Sequence, residues 1–245
     1  MKRSDRLKLN LEIIADELCL IFGKPASRLA DEHKILDVLI ATKLSQNTTD
    51  KSSYKAFNRL KEKFGSWERV AEAKESEIRE CIKVCGLANT KARDIKLMLI
   101  EMIAKYGKLD LRFFKNISDE EIYDELLSFK GIGVKTASCV LVFALGRDVF
   151  PVDTHVHRTL NRLGIVKTNS PDNTFEAANI IIPEGRKYEL HTNLIKFGRN
   201  ICRSKNPLCS LCSFYSRCVF EEKSTYRKQS SKAMLENNFL ILEEI

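Results

Sequence analysis

The chain has 245 residues, with 41 Lys and Arg against 33 Asp and Glu, so its formal net charge is +8. Hydrophobic residues at 44% and charged residues at 30% exclude a wholly disordered or collagen-like chain. No stretch approaches the roughly 18 uninterrupted apolar residues of a membrane span. The positive surplus fits a polyanionic partner, and equally a surface that is charged only for solubility.

The N-terminal segment, MKRSDRLKLNLEIIADELCLIFGK, carries acids within its apolar stretch and reads as an amphipathic helix rather than a signal peptide. Eight cysteines without a secretion signal are expected to stay reduced. Cys19, Cys81, Cys85 and Cys139 fall in apolar helical patterns and are expected to be buried as small hydrophobes.

Helical stripes then follow one another. They are Ile35, Leu36, Leu39 and Ile40; Tyr54, Phe57, Leu60 and Phe64; Ile95, Leu99, Met102 and Ile103; and Ile122, Leu126 and Leu127. Ser118 to Glu121 spells a capping box, and Ser170-Pro171 an N-cap followed by proline at the first helical position. The segment Val149-Phe150-Pro151-Val152 reads as extended but is too short to build a sheet. The expectation is an all-α fold of about ten helices. After Lys223 a polar stretch reads as a spacer, and the apolar end, Met234-Leu235 and Phe239 to Leu242, is expected to dock back on the body.

Three segments invite chemistry. In Phe129-Lys130-Gly131-Ile132-Gly133-Val134-Lys135-Thr136, one helix runs into Gly-Ile-Gly and another runs out. Two such glycines permit a tight reversal and let backbone N–H groups meet an anion at a helix N-terminus, although an ordinary helical hairpin would look the same. Lys135 stands one turn into the outgoing helix, where the dipole disfavours an ammonium. It is either a solvated surface lysine or a neutral amine able to form a Schiff base. In Pro151-Val152-Asp153-Thr154-His155-Val156-His157, Asp153 is placed to cap a helix, and an ionised carboxylate there could also stabilise a cation or relay protons. Asp153, His155 and His157 lack a recurring third strong ligand, which argues against a metal site.

Four cysteines, spaced Cys202-x6-Cys209-x2-Cys212-x5-Cys218, can wrap one metal centre. One close pair with two outliers favours an iron–sulfur cluster over tetrahedral zinc, which usually uses two close pairs. The loop between the first two cysteines carries Arg203 and Lys205, suited to phosphate contacts.

These segments, in this order, together with Leu44-Ser45-Gln46-Asn47-Thr48-Thr49-Asp50 and Gly86-Leu87-Ala88-Asn89-Thr90-Lys91-Ala92, resemble the endonuclease III family of helix-hairpin-helix DNA glycosylases over residues 10–222. The resemblance implies two helical domains with a cleft between them. A six-helix block with the hairpin would span 33–146, and 1–32 with 147–222 would form an iron–sulfur domain holding a [4Fe-4S] cluster on Cys202, Cys209, Cys212 and Cys218. Residues 223–245 would be a tail without assigned role. By similarity, Lys135 is the nucleophile and Asp153 its carboxylate partner. The implied activity is that of a bifunctional DNA glycosylase/AP lyase of base excision repair, acting first on oxidised pyrimidines. Removal of mismatched uracil or thymine, removal of 8-oxoguanine, and non-catalytic DNA binding are the alternatives. The implied DNA contacts are Gln46, Asn47, Leu87, Lys130, Gly131, Ile132, Gly133, Val134, His155, Arg203 and Lys205. Leu87 resembles a wedge inserted into the duplex, its bland alternative being a buried leucine after a turn.

The chain departs from the common bacterial pattern at several positions. Asn47, with Gln46 before it, stands where a gap-filling glutamine is usual, Lys130 where proline is common, and Ala88 where an aromatic is frequent. The Leu44–Asp50 and Phe150–Thr154 segments look more like those of archaeal members, and somewhat like those of plant base-excision demethylases; the archaeal likeness implies a monomeric, cytoplasmic, nucleoid-associated enzyme of a prokaryote, with damaged double-stranded DNA as its partner.

Overall fold

The computed structural model describes residues 3–26, 30–228 and 238–245. Among them are thirteen α-helices and no strand. In chain order they are α1 (Arg3–Phe22), α2 (Ile35–Ser45), α3 (Asp50–Phe64), α4 (Trp67–Glu72), α5 (Glu75–Ile82), α6 (Ala88–Tyr106), α7 (Asp119–Leu127), α8 (Val134–Phe143), α9 (Thr154–Arg162), α10 (Pro171–Ile181), α11 (Lys187–Asn200), α12 (Lys223–Arg227) and α13 (Ile241–Glu244). Three of these have six residues or fewer, which accounts for the difference from the expected ten. None of the helices is long and apolar enough to cross a membrane.

The chain divides into two compact units. Arg28–Arg147 with Phe239–Ile245 makes one, and Met1–Ser27 with Asp148–Asn238 the other. In the first, α2 is the central helix, packed by α3, α6, α8 and α13. Val38, Leu39, Ile40, Ala41 and Leu44 are all fully buried, so its apolar surface runs well beyond the one stripe in the sequence. The other stripes are buried as expected at Phe57, Leu60, Phe64, Ile95, Leu99, Met102, Ile122 and Leu126. Leu127 departs from its stripe and is 41% exposed, at the last position of α7 where the chain turns into the hairpin.

Helix starts follow the local chemistry. Thr49 Oγ1 accepts the Ser52 N–H at α3, and Ser170 Oγ accepts the Asn173 N–H at α10, with Pro171 in the first turn. Ser118 and Glu121 satisfy one another's backbone N–H groups at α7, a complete capping box.

The chain's last residues belong to this unit. Leu240, Ile241 and Leu242 are buried, the Tyr54 and Phe239 rings meet edge to face at 5.4 Å, and the Ile241 N–H donates to Asp50 Oδ2 at 3.1 Å. The expected docking of the apolar terminus therefore holds for Phe239 to Leu242, while Met234 and Leu235 lie outside the described residues. The stretch after Lys223, expected as a spacer, begins as a short helix, α12, whose Lys223 donates to the carbonyls of Tyr215 and Cys218.

In the second unit, Leu11, Ile14, Ala15 and Leu18 of α1 are buried, as are Leu190, Leu194 and Phe197 of α11, and the two helices pack together. Arg186 forks onto Glu12, Asp16 and Glu189. Helix α9 approaches α11 so closely at Gly198 that a Cβ there would come within 2.9 Å of His155 Cβ. Of the four scattered cysteines, Cys81, Cys85 and Cys139 are buried as expected. Cys19 is only half-buried, and its thiol accepts from Asn193 Nδ2 at 3.5 Å.

Candidate active site and nucleic-acid interface

The hairpin between α7 and α8 is built by a left-handed glycine. Gly131 has φ +80°, and its carbonyl accepts a hydrogen bond from Lys43 Nζ, on α2, at 3.0 Å. Lys43 is buried, and burial pulls its ammonium below the ordinary lysine range, with Asp94 opposing. Gly133 is the N-cap of α8, and its carbonyl takes the N–H groups of Thr136 and Ala137. The N–H of Ile132 is already used, donating to Phe129 O at 3.2 Å, whereas among the described residues the N–H groups of Gly133 and Val134 bond no backbone carbonyl. Anion binding at this helix start therefore narrows to Gly133 and Val134. Lys130 and the two glycines are exposed, Ile132 is buried, and Val134 is half-buried. Lys135 is half-buried in the first turn of α8.

Two further loops of the same unit carry left-handed non-glycine residues. Asn47 (φ 53°) follows the exposed Gln46 at the end of α2, and Leu87 (φ 50°) precedes α6. Leu87 is 60% exposed, so it is not the ordinary buried leucine of a turn. An exposed leucine in a strained conformation is an arrangement that folding alone does not favour. Both loops are held from beneath by Lys91, whose Nζ donates to Leu44 O at 2.7 Å and to Cys85 O at 3.1 Å.

In the second unit, Asp153 is the N-cap of α9, and its Oδ1 accepts the Val156 N–H at 2.8 Å. The run leading to it, expected to be extended, lies outside helix and strand and is clamped on both sides. Asn179 accepts the Phe150 N–H at 2.8 Å and donates to the Phe150 carbonyl at 3.1 Å. His191, fully buried on α11, donates Nδ1–H to Pro151 O at 2.8 Å. His155 is half-buried, with Nδ1 accepting from Arg158 Nη2 at 3.2 Å. His157 is engaged by Thr174 and Asn161 and takes part in packing α9 against α10.

Cys202, Cys209, Cys212 and Cys218 are half-buried in the loop after α11. Burial pushes the Cys212 thiol up to about 12, and the other three cysteines add to the shift. Cys209 is raised by burial first, then by Cys218 and Cys202. The four sulfurs thus feel one another, although among the described residues no three His, Cys, Asp or Glu side chains are arranged to hold a metal ion as they stand. Four cysteines in one loop supply the soft sulfur donors that an iron–sulfur cluster uses. Arg162 Nη1 lies 3.7 Å from Cys202 Sγ. Arg203 commits its Nε to Asn200 O, Lys205 is exposed, and Asn206 beside it has φ 49°. The described non-glycine residues with positive φ are thus Asn47, Leu87 and Asn206, each in a loop expected to meet DNA.

A family profile described as "HhH-GPD superfamily base excision DNA repair protein" matches residues 40–184. Endonuclease III of Thermotoga maritima is 37% identical over 196 residues, which cover 79% of this chain and 88% of that protein. Endonuclease III of Sulfolobus acidocaldarius is 35% identical over 224 residues, 90% and 93% of the two chains. The chain belongs to the endonuclease III family. A solved endonuclease III in a non-covalent complex with DNA superposes with a TM-score of 0.75 at 28% identity, covering 91% of this chain and 99% of that one. This member of the endonuclease III family is accordingly a base excision DNA glycosylase, and AP lyase activity is typical of its family.

The residues that sequence reasoning missed in this endonuclease III relative are the supports: Lys43, Lys91, Asn179 and His191. Both lysines sit on buried helical stripes, Lys43 after Leu36, Leu39 and Ile40, and Lys91 before Ile95, Met98 and Met102. A lysine on an apolar stripe was the available signal.

Proposed function

We propose that the chain is a bifunctional DNA glycosylase/AP lyase acting as a monomer on duplex DNA, with oxidised pyrimidines as its first substrates. The observation that carries the reading is Lys135, half-buried in the first turn of α8 directly after the Gly131–Gly133 hairpin, in a chain 37% identical to an endonuclease III. In the reaction proposed, a weakly paired damaged base is flipped out at a cost of a few kcal/mol. As its glycosidic bond breaks, C1′ gains positive character, which the Asp153 carboxylate stabilises. The neutral amine of Lys135 donates its lone pair to C1′, and the base leaves with the electrons of the broken C–N bond and is protonated. The amine nitrogen then loses a proton, and the C1′–O4′ bond breaks with O4′ taking up a proton, which opens the sugar ring to a protonated Schiff base that acidifies the C2′ proton. Its removal expels the 3′ phosphate by β-elimination. The N–H groups of Gly133 and Val134 hold a backbone phosphate, with Lys130 beside them.

Cys202, Cys209, Cys212 and Cys218 would hold a [4Fe-4S] cluster, a staple that fixes the Arg203/Lys205 loop. Four iron and four sulfide per chain, lost together in a variant lacking one of the four cysteines, is the expected stoichiometry.

Borohydride trapping on an abasic duplex tests the lysine. Wild type should form a covalent protein–DNA adduct and Lys135→Ala none, and an undiminished adduct in the variant would sink the assignment. A panel of duplexes, each with one lesion and scored separately for base release and strand scission, tests the substrate class. A preference for mismatched uracil or thymine, or for 8-oxoguanine, would overturn it.

A further inference from the structure

Lys91 is 6% exposed, a cation inside an otherwise apolar stripe of α6. Burying an ammonium is costly, and a methionine would fill the same volume without that cost. The partners of Lys91 indicate what the charge accomplishes. Leu44 lies in the last turn of α2, two residues before Gln46, and Cys85 lies two residues before Leu87. Carbonyls at a helix end lack intrahelical donors, and an ammonium satisfies them with favourable dipole electrostatics. One head group therefore takes an orphan carbonyl from each of two loops that are far apart in sequence. Beyond each anchored carbonyl stands an exposed residue in the left-handed region, Asn47 on one side and Leu87 on the other. Such conformations are costly and persist only where the surroundings over-determine them. The Cys85 thiol adds a further constraint, donating to Ser52 O at 3.4 Å, so the Leu87 loop is also fastened to α3.

We propose that Lys91 is a positioning residue that couples the Gln46/Asn47 loop to the Leu87 loop, so that the two enter a DNA duplex as one preorganised element. The proposal rests on the glycosylase reading above. Two loops ordered separately would each lose conformational freedom on binding, and a shared tether removes that cost beforehand. The tether matters only where a base pair must be opened. Chemistry on an abasic site in a single strand needs neither loop.

The test compares two rates for each protein: single-turnover base release from a lesion-bearing duplex, and borohydride-trapped adduct formation with a single-stranded abasic oligonucleotide. An unfolded fraction lowers both rates equally and leaves their ratio unchanged. Lys91→Met keeps the stem and removes the donors. Misplacement of this kind should lower the duplex-to-single-strand ratio about tenfold or more. Lys91→Arg, which keeps a charged donor, should bring the ratio back toward wild type. A ratio within about twofold of wild type in Lys91→Met overturns the proposal, since a preorganising tether must affect duplex opening more than that. Wild type failing to form the single-strand adduct overturns the glycosylase reading itself, a different outcome. Leu87→Ala and Asn47→Ala, alone and together, supply a second readout. Their effects on duplex base release should be non-additive by about fivefold with Lys91 present and additive within about twofold in Lys91→Met, and coupling that survives Lys91→Met overturns the proposal.

Discussion

His191 donates its Nδ1–H to the carbonyl of Pro151 at 2.8 Å, and two residues later the chain reaches Asp153. Asn179 grips the preceding residue, Phe150, through both its N–H and its carbonyl. The approach to α9 is therefore held by side chains of α10 and α11 within three residues of Asp153, whose carboxylate caps the helix at Val156. The physical requirement is that of buried backbone outside any helix or sheet. Its polar backbone groups need partners, and here side chains supply them.

Replacing His191 by leucine leaves the Pro151 carbonyl buried and unpaired, at a cost of about 1–3 kcal/mol. Because that carbonyl lies two residues from Asp153, His191→Leu is expected to slow single-turnover base release more than it weakens binding of lesion DNA. A lowered melting temperature with an unchanged base-release rate would show that the clamp serves stability alone.

The elements that were legible from the sequence are those whose chemistry is local. The Ser118/Glu121 capping box, the Ser170-Pro171 start, the Asp153 N-cap and the hairpin at Gly131 each need only a few consecutive residues. What escaped was set by partners distant in the chain. Periodicity in α2 reveals one stripe, but packing by four other helices buries almost the whole helix, Lys43 included. Lys91 binds a carbonyl 47 residues away, and no local rule names that partner. The use of the Ile132 N–H in the turn was invisible for a different reason, since a G-x-G pattern permits several turn geometries and does not choose among them.

Gly131→Ala combines two penalties. The backbone at φ +80° disfavours any Cβ, and the added atom would come within 2.8 Å of Lys43 Nζ, the donor to the Gly131 carbonyl. Lys43 is buried, so it cannot swing away without losing that bond. A loss of about 1–3 kcal/mol is expected, with weakened binding of undamaged duplex because the hairpin N–H groups shift. Thermal melting and a salt titration of DNA binding check it. Retention of both would mean that the hairpin tolerates a side chain and that its glycine is dispensable.

Leu87→Gly separates strain from function. Glycine relieves the left-handed backbone but is more flexible when unfolded, so the two effects offset within about 1 kcal/mol. The side chain is 60% exposed and contributes little packing. Stability is expected to stay near wild type while base release from a paired lesion falls by about tenfold or more, as for other losses of a positioned group. Unchanged base release in a folded variant would remove Leu87 from the DNA-opening machinery.

His155 provides a pH test whose sign is fixed by its surroundings. Burial is the largest influence holding its pKa below the ordinary 6.5, the cations of Arg158 and Arg199 add to it, and Asp153 and the Gly198 backbone oppose it. The hydrogen bond points the same way. A guanidinium only donates, so Nδ1 of His155 must accept from Arg158, which requires a neutral ring. A depressed folded pKa means that the unfolded chain takes up the proton first as pH falls. The stability supplied by neutral His155 is thus fully present above about pH 6.5, the unfolded value, and is lost as pH drops through that value toward the lower folded one. His155→Gln keeps an acceptor for Arg158 without a titrating ring, so its melting temperature should decline less than that of wild type between neutral and mildly acidic pH. Other acid-sensitive groups act equally on both proteins and cancel in the comparison. Parallel melting curves for the two would mean that His155 does not change protonation on unfolding.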